Sequence, residues 1–321
     1  MRTRNTTSVF CLRVFAFLAT ALAISAQPYG YVSNQMGNTV SVVDMATNVI
    51  SAEISLSSGG LSGLAVTPNG SYLYVAQQSL NSVAVVSTAS NSVVATIPVG
   101  SSPVQVAILP SGKAAFVVNS QSNNVSLINT ATNTVVDTIA VGANPVALAI
   151  TPNGADVLVA NQSSSTISVI SVSKRSVAAT WTTLAGPSAI AISPKGGTAY
   201  VAAQNADEVA VHSIATGDIT ATFTGFNSPV ALAVTPNAGF LYVVNINAST
   251  VSVVHAGSGN LVATVPVGSL PTSVAISSDG SMAYVANGFG FSISEIDTST
   301  NTVGYTLPSV GIYPFSIALY N

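Results

Sequence analysis

A motif repeated seven times at a spacing of 42 residues, four short apolar runs inside every copy, and an alanine at one fixed place in the last run together predict an all-β chain. The architecture they specify is a seven-bladed β-propeller of four-stranded antiparallel blades. The copies begin at Tyr29, Tyr72, Ala114, Asp156, Thr198, Phe240 and Met282, and only the first and last need one extra residue to stay in phase. A fixed period of this length marks a solenoid or a propeller, and the strand pattern decides between them.

The copy from 114 shows the pattern. It reads "AAFVVN", "NNVSLIN", "NTVVDTIAV" and "PVALAIT", four runs rich in Val and Ile, separated by Asn, Ser, Gly and Pro. No helical period is present, so each copy is a four-stranded meander. In the first run the fourth residue is valine in all copies (Val32, Val75, Val117, Val159, Val201, Val243, Val285). The third is aromatic in all but one (Tyr31, Tyr74, Phe116, Tyr200, Tyr242, Tyr284), Leu158 being the exception. Adjacent residues of a strand point to opposite faces, so this strand must be covered on both sides. Stacked blades supply that cover.

The last run sets a large face, such as Val146, Leu148 and Ile150, against a face carrying Ala65, Ala107, Ala149, Ala191, Ala233, Ala275 and Ala318. Large-on-small packing suits the place where blades converge, so this strand is assigned to the axis. The chain then starts its first copy without an inner strand and finishes with "YPFSIALYN", an inner strand without a following blade. The last strand is therefore expected to join the first three and close the ring, with Phe315, Ile317 and Leu319 as its buried face. "TPNG" and "SPKG" place Pro and Gly where a tight reversal needs them.

Residues 1–26 have the layout of a secretory signal peptide: Arg2, Arg4 and Arg13, then the apolar "VFAFLATALAI", then small residues before a cut after Ala26, or alternatively Ala23. At 11 residues that apolar stretch is short of a bilayer span, and an uncleaved anchor is the competing reading. Residues 27–321 are read as the single propeller, without a transmembrane segment, monomeric, and secreted, periplasmic or held at the cell surface. Cleavage removes Cys11 and three arginines. Lys113, Lys174, Arg175 and Lys195 then remain against ten acidic residues, a net charge of −6, which disfavours nucleic acid and anionic membranes.

The runs "YVSN", "FVVN", "YVVN" and "YVAN" resemble the YVTN-family β-propeller repeat, and "SVVDMATNVI" and "VGSLPTSVAISSDG" resemble its later segments. The resemblance covers residues 29–321 and implies an exported binding or scaffold propeller, similar to YncE-like periplasmic and surface-layer-type proteins and more distantly to lactonase and quinoprotein propellers. The chain departs from the repeat where Gln77 and Ala203 replace its asparagine and where Lys174 and Arg175 replace its Thr-Asn turn.

Titratable chemistry is sparse. His212 fills a slot otherwise held by Val or Ile and is read as core, and His255 as a strand-end residue. Trp181 aligns with Ile54, Ile97 and Ile139 and is read as outer-strand core. Asp207 and Glu208 form the one adjacent acid pair, too few oxygens for a calcium site. "GGLSG" precedes no helix and is no phosphate cradle. No catalytic residue, metal site or cofactor is assigned. What stands out is the set of loops after the first run of each copy, rich in Asn, Gln and Ser, which a ring would gather at one mouth of its channel. Asn34, Gln77, Asn119, Asn161, Gln204, Asn245 and Asn287 are the expected ligand contacts there, for a glycan, peptide or protein partner that is polar and uncharged. The rivals are a lactonase-like hydrolase or lyase at the same mouth and YncE-like DNA binding.

Overall fold

The computed structural model describes residues 29–57 and 59–320; the expected signal peptide lies outside them. Seven four-stranded antiparallel sheets form the seven blades. The second strand of every blade begins at a residue that opens a repeat: Tyr29–Asn34, Tyr72–Gln77, Ala114–Asn119, Asp156–Asn161, Thr198–Ala203, Phe240–Asn245 and Met282–Asn287. Blade 1 takes its innermost strand, Pro314–Tyr320, from the end of the chain, paired antiparallel with Tyr29–Asn34. The ring is closed in the expected way. Blades 2 to 7 are continuous in sequence and start at Leu61, Pro103, Pro145, Pro187, Pro229 and Pro271.

Packing between blades follows from the two-sided second strand. Tyr74 and Phe116 face the blade that follows, while Val117 and Val159 face the blade that precedes. The innermost strands repeat the theme: Ala65 of blade 2 meets Val106 and Ile108 of blade 3, and Ala275 of blade 7 meets Ile317 and Leu319 of blade 1. Small against large is the taper expected near the axis.

One detail of that strand differs from expectation. A register shift follows its first residue, for example between Pro145 and Ala147, so the second residue bulges out of the ladder. Val146 and Val230 therefore leave the faces of Leu148 and Leu232 for the core shared with the following blade, and together with Phe315 they line the channel.

Hydrogen bonds tie neighbouring blades at two further levels. Tyr74 Oη donates to Asn133 Oδ1 in the next blade's outer turn at 2.6 Å, and Tyr242 Oη to Asn301 Oδ1 at 2.8 Å. Burial pushes both hydroxyls up to about 12, so they serve as donors. Near the axis, Ser62, Ser188 and Thr272 donate to carbonyl oxygens of Val104, Pro229 and Pro314 in the following blade.

Candidate functional site

The seven innermost strands enclose a channel with a cavity of about 450 Å³. Its wall carries small residues at one level, Gly63, Ala147, Ala189, Ala231, Ser273 and Ser316, with Gln105 the large exception. Gly63 is required by close approach, since a Cβ there would lie 2.7 Å from Gln105 Cα and 2.8 Å from Val104 O. The Gln105 side chain is fixed by accepting from Leu148 N at 2.8 Å. Above the wall, Gln162, Gln204, Ile246 and Tyr313 form part of the mouth. Among the described residues Tyr313 is the one titratable side chain of the lining, and burial raises its hydroxyl above the ordinary 10.0.

The amides expected at this mouth occupy two different slots. Asn34, Asn119, Asn161, Asn245 and Asn287 end their strands with the side chain turned inward, and all are buried. Each donates through Nδ2 to side chains of the third strand, as Asn161 does to the Thr166 and Ser168 hydroxyls at 3.1 and 3.0 Å and Asn119 to Asn124 Oδ1 and Ser126 Oγ at 2.8 and 2.9 Å. Gln77 is buried too, and its Oε1 accepts from Ser82 Oγ at 3.1 Å. Gln204 alone stands one residue further on, half-buried on the channel, with Nε2 donating to Ser228 Oγ at 3.0 Å. The asparagines hold the loops, and the channel is lined by the next residue at Gln162, Gln204 and Ile246.

The buried asparagine also accounts for the glycine in most of the connections, Phe226 before Asn245 being an exception. A Cβ on Gly142 would lie 2.6 Å from Asn161 Cγ, and one on Gly268 2.5 Å from Asn287 Cγ. Where Ala203 removes the amide, Leu184 stands in the glycine slot and packs against the core beside it.

The other singled-out residues are structural. Asp207 lies at φ +57°, exposed, and its Oδ1 accepts from Ser228 N at 2.6 Å. Asn81 and Asn123 make the same link to Ser102 N and Asn144 N, each at 2.8 Å. His255 is exposed and stacks on Phe240 at 5.1 Å. His212 and Trp181 are buried core, stacked at 5.7 Å across the boundary between blades 4 and 5. The four cations sit in turns on the face opposite the mouth, just before Ala114, between Ser171 and Ser176, and between Ile192 and Thr198. No cluster of three or more His, Cys, Asp or Glu suited to a metal exists among the described residues, and no helix among them is long and apolar enough to cross a membrane.

Two features of interest were not visible as such in the sequence. Glu295 is buried in a slot that otherwise holds Val42, Val85, Leu127, Val169, Val211 and Val253; its break with that series is the signal that could have found it. The second is an apolar sector of the mouth rim. Met36, Phe289, Phe291 and Ile312 are all exposed there, with Phe289 edge-on to Tyr313 at 5.3 Å. Phe291 sits at φ +49°, where the other copies have Asn, Ser or Asp.

The YncE-like β-propeller family matches residues 104–224. Solved structures share the fold. Hydrazine synthase of Kuenenia stuttgartiensis is 24% identical, with a TM-score of 0.78 over 84% of this chain and 92% of its own. A functionally unknown protein of Desulfotomaculum acetoxidans is 19% identical, with a TM-score of 0.80 over 91% and 98%. Dihydro-heme d1 dehydrogenase NirN is 16% identical, with a TM-score of 0.69 over 87% and 63%. No curated protein sequence matches. The family described as lactonase, 7-bladed β-propeller, matches residues 21–136 and 175–277, well over half the chain, and it is to this family that the chain belongs.

Proposed function

We propose that the protein is an exported binding scaffold whose site is the channel mouth, and that its ligand is an uncharged chain with both apolar faces and hydrogen-bonding groups, a neutral glycan foremost. The observation that carries this reading is the make-up of the mouth: one sector of amides and hydroxyls, one of exposed Phe and Ile, and no charged side chain in the channel lining among the described residues. Amides offer donors and acceptors to hydroxyls, and aromatic rings offer flat apolar area. Phe291 strengthens the case, since holding a phenylalanine in the left-handed region costs on the order of 1 kcal/mol or more and the chain gains no core packing from a ring that stays exposed. A neutral-glycan array, followed by titration of the best ligand, tests it. Changing Gln162 and Gln204 together to Ala, or Phe289 to Ala, is expected to weaken binding at least about tenfold, roughly 1.4 kcal/mol. Undiminished binding in both variants would move the site off this face.

The family match supports a second reading, lactone hydrolysis at the mouth. That chemistry needs an acid or base within reach of the scissile group. Tyr313 is the one candidate in the lining, so turnover of any lactone by the protein should vanish in Tyr313→Phe.

A further inference from the structure

Glu295 lies on the third strand of blade 7, Ser292–Asp297, facing blade 1. Its Oε2 accepts from Asn48 Nδ2 at 3.0 Å, across the boundary where the last blade meets the first. Two buried oxygens at this contact have no hydrogen-bond partner among the described residues: Glu295 Oε1 and Asn48 Oδ1. In other blades the asparagine of this turn is satisfied by a tyrosine hydroxyl, as Asn133 is by Tyr74 and Asn301 by Tyr242. At Asn48 the partner is a carboxyl group. Open asparagine oxygens also occur at Asn34, Asn119, Asn161 and Asn287, but Glu295 Oε1 is the one carboxyl oxygen left open among the described residues, and a proton on it would give both it and Asn48 Oδ1 a partner.

We propose that Glu295 is held as the neutral acid, its Oε1–H donating to Asn48 Oδ1 while Asn48 Nδ2 donates to Oε2, so that a two-bond acid–amide pair fastens blade 7 to blade 1 and releases when the carboxyl ionises. The surroundings favour the neutral form. Tyr284 and Tyr305 stand opposite Glu295 on the flanking strands, Asp297 is two residues along its own strand, and Asp44 opens the turn that carries Asn48. None of these can neutralise an anion, and Met45 and Leu307 add apolar cover at the same boundary. Burial raises the Glu295 carboxyl above its ordinary 4.5, against a smaller opposing effect of the Asn48 bond.

The sign follows. A raised folded-state value means the native protein holds a proton that the unfolded chain has released, so the fastening is fully present below about 4.5 and is lost as pH rises through the folded-state value. Melting temperature against pH, measured on the wild type, Glu295→Gln and Glu295→Val, is the test. Glutamine reproduces the acid–amide pair without a titrating proton, and valine is what the other blades carry at this slot. Relative to Glu295→Gln, the wild type should lose several degrees as pH rises through that window, and Glu295→Val should lack that pH-dependent loss. The difference infrared spectrum of wild type minus Glu295→Gln at acidic pH should hold a protonated-carboxyl band that fades on the alkaline side. Parallel curves for wild type and Glu295→Gln, or no such band, would overturn the proposal.

Discussion

The boundary between blades 4 and 5 and the boundary between blades 7 and 1 each replace a repeat valine or isoleucine with a buried titratable side chain, and they handle it in opposite ways. At the first, His212 is fully satisfied. Gly217 O, which can only accept, fixes the proton on Nδ1 at 2.9 Å, leaving Nε2 to accept from Thr183 Oγ1 at 2.9 Å. Trp181 stacks on the ring, and Gly217 replaces the turn asparagine to make room, since a Cβ there would meet the indole at 2.4 Å. Four coordinated departures from the repeat produce one closed polar cluster. At the second boundary Glu295 stands without such re-packing: its partner Asn48 is the repeat's own residue, and two acceptors stay open. A buried polar group is tolerated when its bonds are complete and becomes a switch when completion depends on a proton.

The largest expected effect breaks the second boundary outright. A chain ending at Val310 lacks the strand Pro314–Tyr320, and with it Ile317 and Leu319 in the blade 7 to blade 1 core. At about 1.5–3 kcal/mol per buried aliphatic side chain, with the ladder to Tyr29–Asn34 also gone, the loss is several kcal/mol. Exposed sheet edges should then drive the chain to unfold or self-associate. A monomer of unchanged melting temperature in analytical centrifugation and calorimetry would show that the ring does not depend on this strand.

The next effect concerns the first boundary. Gly217→Asn restores the repeat residue but forces an amide against Trp181, and should destabilise by about 2–4 kcal/mol in denaturant unfolding through overpacking and the crowded turn. Trp181→Ile alone leaves a cavity over His212, at a cost of about 2 kcal/mol or more. The two together rebuild the arrangement of Ile97 and Asn133, and the pair should recover at least about 1 kcal/mol of coupling. Strict additivity would mean that tryptophan and glycine are not matched to each other.

Those matched pairs also mark how far the sequence can be read without coordinates. Blade number, strand starts and ring closure were all legible, because each rests on a pattern written seven times and burial enforces it. Matched departures were visible only one at a time. Phe116 lacks the hydroxyl that Tyr74 donates, and Arg175 lacks the amide that Asn133 offers, but nothing in the sequence says that the two slots meet across a boundary. Ala203 with Leu184, and His212 with Thr183, are the same kind of pair. The mouth suffered most from this limit. Asn161 and Gln162 are neighbours in an amide-rich loop, and only the strand register decides that one is buried and the other faces the channel. The bulge after Pro145 is equally silent, because it exchanges one apolar position for another.

The smallest expected effect separates the two boundaries by pH alone. Burial lowers His212 below its ordinary 6.5, outweighing the Gly217 carbonyl and Asp218, which favour the charged ring. Protons therefore bind the unfolded chain more readily than the native one as pH falls below about 6.5, and stability declines through that window. The native contacts explain why the decline has to occur. Protonation gives Nε2 a hydrogen that points at the hydroxyl it had been accepting from, and Thr183 must turn its own hydrogen into apolar surroundings. Replacing both His212 and Thr183 by Val removes the two side chains together but leaves the buried Gly217 carbonyl without its donor, and should cost about 1–3 kcal/mol at neutral pH. The double variant should lose the decline that sets in below about 6.5 while keeping the loss with rising pH above about 4.5 assigned to Glu295, and Glu295→Gln should do the reverse. If either variant flattens both limbs, the two boundaries are not independent, and the ring transmits the state of one to the other through the blades between them.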